Sequence, residues 1–204
     1  IYDAYLDGVI VPPKIVWYSS HYNIDIYKMM DLIKPELEKL YYQKIIVWCG
    51  LIEECYKLSQ IWKEYFSEYS VYTDTSENTG ESGEDQDYQK FYQQERMAIL
   101  FCACKHREGS DIKNLDGCIF FDKVQNRTPR TFIQCIGRVL RIDPRGHKQY
   151  GLIVDFNAQS SIKICDRVNE FLYIDEKIFP WNYQYQYLLM GSSKKKVTYH
   201  QLTF

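Results

Sequence analysis

Five short apolar runs, at 44–49, 70–73, 98–103, 117–121 and 151–156, constrain this chain more than any other feature of its 204 residues. Each is too short for a helix and rich in β-branched and aromatic side chains, so each reads as a strand. The intervening segments carry helical spacing instead. In 53–66 the residues Cys55, Leu58, Ile61, Trp62 and Tyr65 fall on one side, and similar patterns occupy 88–94, 131–140 and 162–172. Strand and helix therefore alternate. Because the strands are apolar on both faces they must lie beneath helices, so the expected architecture is a parallel sheet in an α/β fold with helices on both faces.

The flanking segments are read by composition. Pro12-Pro13 in the extended piece 9–17 mark a linker or an edge element and exclude a central strand there. An amphipathic stretch over 24–43 is interrupted by Pro35. Residues 74–87 hold six acidic side chains and no basic one, with no apolar anchor, and read as a mobile loop. After Trp181 the chain reads as a weakly defined tail. The expected organisation is a linker at 1–23, one domain at 24–180 with its acidic loop at 74–87, and a tail at 181–204. A first residue that is Ile and not Met suggests a piece of a longer protein.

Hydrophobic residues make up 46% of the chain, enough for a sizeable core. There is no apolar run of about 18 residues and no basic-then-apolar leader at the start, so a membrane role is not expected. Seven cysteines without a Cys-x-x-Cys pair read as reduced core thiols in an intracellular compartment, cytoplasmic or nuclear. His21, His106, His147 and His200 have no ligand-spaced partners, so no metal site is expected. The formal charge is −2, but the acidic loop accounts for the deficit. The remainder is mildly basic, which suits a few placed phosphate contacts and excludes bulk electrostatic binding.

Two constellations carry chemistry. In Gln134-Cys-Ile-Gly137-Arg138-Val-Leu-Arg141, helical spacing projects Gln134, Arg138 and Arg141 from one face and packs Ile136, Val139 and Leu140 on the other. Gly137 allows a close approach to that face. Two guanidiniums on a common face suit an anion at a domain boundary, although a solvated basic helix has the same pattern. The second constellation, Arg107-Glu-Gly109-Ser-Asp111-Ile, follows the run 98–103 at the carboxyl end of a strand, where ligands bind in parallel sheets. Asp111 can accept from a ribose hydroxyl or orient an arginine, and Gly109 permits a tight turn.

In this order and spacing the two resemble motifs V and VI of superfamily 2 helicases, closest to type I and III restriction translocases and excision-repair helicases. Residues 44–50 then fall at motif IV, 71–76 at the next nucleic-acid-contacting segment, and 4–12 at the linker into a second domain. The resemblance implies a RecA-like fold that lacks its own phosphate loop: no Gly-x-x-x-x-Gly-Lys-Ser/Thr and no Asp-Glu box occur. It implies that ATP and Mg2+ are held mainly by an N-terminal RecA-like domain of the same polypeptide. Arg138 and Arg141 are then arginine fingers, Gln134 couples the helix to that domain, and Gly109, Asp111 and Gly137 complete the ATP-binding set. Contacts to DNA or RNA, with DNA favoured, are implied at Cys49, Gly50, Thr73, Cys104, Lys105 and His106. Where DEAD-box members often carry Thr in motif V, this chain has Ala103-Cys104, which leaves that contact to backbone amides or to Lys105 and His106. Usage of Tyr, Ile and Lys points to an AT-rich source such as a large DNA virus. The rival reading is an inactive RecA-like module that binds nucleic acid or protein.

Overall fold

The computed structural model of the chain describes residues 7–20, 25–77, 86–103, 111–122, 129–155, 184–190 and 197–201. In chain order these form β1 (Pro13–Ser20), α1 (Ile26–Leu37), β2 (Lys44–Cys49), α2 (Ile52–Tyr65), β3 (Ser70–Asp74), α3 (Asp87–Gln93), β4 (Ala98–Ala103), β5 (Gly117–Phe120), α4 (Pro129–Val139), β6 (Gly151–Asp155), β7 (Gln184–Met190) and β8 (Val197–Gln201). One sheet takes the order β3-β4-β2-β5-β6-β1-β7-β8. Every neighbouring pair from β3 to β7 is parallel, and only β8 runs antiparallel to β7.

The apolar runs became strands because both of their faces are covered. All residues of β2, β4, β5 and β6 are buried, and successive side chains point to opposite faces. Ile45, Val47, Cys49, Ile99, Phe101 and Val154 join Met30, Ile33 and Leu37 of α1 and Cys55, Leu58 and Trp62 of α2. On the opposite face Ile46, Trp48, Leu100, Cys102, Phe120 and Ile153 join Phe91 of α3 and Cys135, Ile136 and Val139 of α4. Trp62 anchors the first layer, with ring centroids 5.0 Å from Phe66 and 5.2 Å from Phe101. The expected parallel α/β sheet with helices on both faces holds, with β8 as its one antiparallel addition among the described strands.

Three expectations are revised. The Pro12-Pro13 segment opens an interior strand, since β1 lies between β6 and β7. Pro13 is the first residue of β1, a place where a missing N–H costs no ladder bond, and the Pro12 carbonyl still accepts from Gly151 N–H at 3.0 Å. Pro35 does not end α1. It sits in the last turn, and the Glu38 N–H bonds to Lys34 O at 3.0 Å beyond it. The stretch read as a tail contributes β7 and β8. Both ends of the acidic loop are packed: Thr75 is fully buried with its hydroxyl 3.2 Å from Tyr56 Oη, and Asp87 accepts from Thr73 N–H at 3.3 Å. Residues 78–85 and the helical pattern at 162–172 lie outside the described residues.

Candidate functional site

The motif VI segment forms α4 and the first residues after it. Proline at its first position has the φ that a helix needs and no N–H to leave unbonded. Cys135, Ile136, Val139 and Leu140 are buried against the sheet and set the rotation of the helix. That rotation leaves the two arginines in different surroundings. Arg138 is only 7% exposed, and its Nε donates to the Gln134 carbonyl at 3.1 Å. It was expected on the exposed face. Three residues after buried Cys135 and next to buried Val139, its stem is carried into the packed side, and burial lowers its pKa, with Arg141 lowering it further.

Arg141 lies just past the helix end and is exposed. Its backbone is pinned by an antiparallel bridge to Ile10, flanked by Val11 N–H to Leu140 O at 2.7 Å and Ile142 N–H to Val9 O at 3.4 Å. Its guanidinium pairs with the Asp111 carboxylate, and both side chains remain more than half exposed. An ion pair so exposed contributes roughly 0–1 kcal/mol. A stronger anion can therefore take the guanidinium from Asp111 at little cost. Asp111 and Arg141 come together as the sequence suggested for a carboxylate that orients an arginine. Gln134 Oε1 is buried and has no hydrogen-bond partner among the described residues. A Cβ on Gly137 would meet nothing within 4 Å, so the space beside this turn is open in the chain alone.

The expected nucleic-acid positions cluster at the carboxyl edge of three adjacent strands, where Cys49 is in register with Ala103, and Thr73 with Phe101. Cys49 is fully buried, and its hydrogen bond with Cys55, together with burial, pushes its thiol pKa far up. Thr73 is 6% exposed. Neither side chain reaches the surface, so a contact there runs through backbone. Gly50 is exposed, with its N–H 3.4 Å from the Glu54 carboxylate. Cys104, Lys105, His106, Arg107 and Gly109 lie outside the described residues. Among the described residues no group of three His, Cys, Asp or Glu is arranged to hold a metal, and no helix is long and apolar enough to cross a membrane.

Residues 27–143, from the first turn of α1 to just beyond Arg141, match the helicase conserved C-terminal domain. The chain belongs to this family. This helicase C-terminal domain also has solved structural neighbours. A fragment described as an HsdR subunit of a type I restriction enzyme from Vibrio vulnificus YJ016 superposes with a TM-score of 0.67 at 17% identity, over 91% of this chain and 38% of that one. The C-terminal domain of the DEAD-box protein Dbp5 gives 0.58 at 12% identity, over 86% and 89%. Domain 2 of the DEAD-box helicase Mss116p, bound to an RNA duplex, gives 0.52 at 16% identity, over 72% and 54%. These likenesses show the RecA-like fold. The chain spans well under half of the HsdR fragment and about half of the Mss116p domain chain. No curated protein sequence matches it.

Proposed function

We propose that this helicase C-terminal domain is the second motor half of an ATP-dependent superfamily 2 translocase, of the group containing type I and III restriction translocases and excision-repair helicases. In this reading it works inside the cell on DNA in preference to RNA. An N-terminal RecA-like domain of the same polypeptide holds ATP and Mg2+, and this chain closes over them. The observation that carries the reading is the pair of guanidiniums at the end of α4, one packed and one exposed in an exchangeable pair with Asp111.

The roles follow from that difference. As γ-phosphate charge grows in the transition state, Arg141 leaves Asp111 for the phosphate oxygens, and the freed Asp111 carboxylate is available to a ribose hydroxyl. Arg138, already desolvated, holds its charge with little reorganisation. Gln134 Oε1, buried without a donor, accepts one from the partner domain on closure. Gly137 leaves room for that approach, and Gly109 belongs with Asp111 to the ATP-facing set. Strand contacts run through backbone at Cys49, Gly50 and Thr73, and through Cys104, Lys105 and His106.

The test compares turnover, ATP affinity and melting temperature in the full-length protein for wild type, Arg138→Ala, Arg141→Ala and Arg141→Lys. Arginine fingers contribute about 10³–10⁵ in rate, so turnover falls at least about tenfold in each variant. Arg141→Lys is nearly as damaging as alanine, because an ammonium lacks the planar fork. Melting temperature is unchanged for the two exposed Arg141 variants. The 204-residue chain alone shows no ATPase activity above background. Wild-type turnover in both alanine variants, or stimulated turnover by the chain alone, overturns the assignment.

A further inference from the structure

A cavity of about 370 Å³ opens at the amino edge of the sheet, and none of the motif V or VI residues lines it. Three turns meet there, ahead of β2, β4 and β6. Asp116 ties the first to the sheet, its Oδ2 accepting from Tyr42 N–H at 2.6 Å and Gln43 N–H at 2.8 Å. Met97 N–H bonds to Tyr42 O at 2.8 Å and fixes the second. Asp143 accepts from the Arg145 and His147 N–H groups, each at 3.0 Å, and fixes the third.

Within this frame two buried charged groups are only partly satisfied among the described residues. Asp116 is 1% exposed, yet its Oδ1 accepts no hydrogen bond among the described residues while Oδ2 accepts two. Lys148 is 9% exposed and spends one of its three protons, on Leu115 O at 2.6 Å. Burial pushes the Lys148 ammonium down to about 8 and raises the Asp116 carboxyl, in each case against the opposing pull of the other's charge. Left so, both groups carry a desolvation cost that a polar ligand would offset.

The wall of the cavity is planar. His147 stacks on Tyr41 with ring centroids 4.1 Å apart and planes 15° from parallel, and the Arg96 guanidinium lies 4.6 Å over the same ring. Both groups pack against the one ring, so Arg96, Tyr41 and His147 form a stacked column. All three are exposed, so part of this stacking surface is open to solvent, and among the described residues the Arg96 guanidinium has no hydrogen-bonded or ion-paired acceptor. Stacked arginine and aromatic planes bind bases, and a guanidinium fork beside an ammonium suits phosphate.

We propose that this amino-edge cavity is a nucleotide-binding site, separate from the motor cleft, in which a base continues the Arg96–Tyr41–His147 column and a phosphate is held by Arg96 and Lys148. The unused Asp116 oxygen accepts from an exocyclic amine of the base. The nucleotide comes either free or as one unit of a single strand, since both present the same chemistry.

Isothermal titration of the 204-residue chain at low salt, with AMP, adenosine, inorganic phosphate and an eight-residue oligo(dA) as probes, tests this. AMP binds at least about tenfold more tightly than adenosine or phosphate alone. Tyr41→Ala and Arg96→Ala each weaken AMP at least about tenfold with melting temperatures unchanged, and Arg96→Lys falls between. If a single strand is the natural source, oligo(dA) binds more tightly than AMP; if a free nucleotide is, AMP binds at least as well. The proposal is overturned by no binding of AMP or oligo(dA), by wild-type affinity in the Tyr41 and Arg96 variants, or by phosphate binding as tightly as AMP. Loss of AMP binding on Arg141→Ala would locate the nucleotide at motif VI and overturn it equally.

Discussion

Lys44 opens β2 with its side chain almost wholly buried, its Nζ donating to Tyr92 O at 3.1 Å and lying 4.8 Å from the Phe91 ring centroid. Burial lowers its pKa from 10.5 to about 8, against a smaller opposing pull from Glu95. Between about pH 8 and 10.5 the unfolded chain therefore binds more protons at this site than the folded one, and stability gains with rising pH. Below pH 8 the buried ammonium carries its full cost. Lys44→Met removes both effects. The variant is expected to melt above wild type at pH 7, with the gap narrowing by about 4–8 °C by pH 9.5 in paired thermal melts. A constant gap would mean that Lys44 stays charged in the fold. At this scale the sequence revealed residue types better than surroundings. That Asp111 could orient an arginine was legible beside its alternative use on a ribose hydroxyl, but nothing in the spacing singled out Arg141 as that arginine. The burial of Arg138 was not legible either, since a three- to four-residue spacing fixes a direction around the helix and not the depth to which neighbours cover it.

Between elements, the tightest junction joins α4 to β6. A Cβ on Gly151 would lie 2.5 Å from the Val139 carbonyl oxygen and 2.9 Å from Leu140 Cδ2. Only glycine lets the end of the helix rest on the first residue of the strand. Gly151→Ala must push the end of α4 outward, and Arg141 with it, at a cost of about 1–3 kcal/mol. Urea unfolding reads the stability loss, and turnover of the full-length protein should fall beyond it. Lost stability with unchanged turnover would separate the junction from the site. Strands β2 and β4 were legible to the residue because unbroken apolar runs admit few alternatives. β1 was misread because proline excludes a strand interior but not its first position. The amino-edge cavity left no trace in the pattern, since Asp116 reaches back 74 residues to the Tyr42 amide, and periodicity is silent about contacts at that separation.

For the whole molecule, the acidic segment divides into packed ends and a centre whose sequence offers nothing to pack. Residues 78–85 hold three acidic side chains and no apolar one. Replacing them with a Gly-Ser turn is expected to move the melting temperature by less than about 2 °C. Extending the replacement to 74–87 removes the Thr75–Tyr56 and Asp87–Thr73 hydrogen bonds and should lower it clearly further. Equal melting in both variants would mean that these bonds contribute nothing.

The position of β1 also bears on how the domain is made and how it can be cut. A strand near the start of the chain sits between two that come much later, with Pro13 in register with Gly151 and Val16 with Gln186. During synthesis β1 must wait, unpaired, until its neighbours emerge, a connectivity that folds slowly. A polypeptide trimmed to the family match at 27–143 would lose β1 and β6 together. The row of backbone groups along β5 that bonds to β6 would then be bare, an adhesive edge running through the middle of the native sheet.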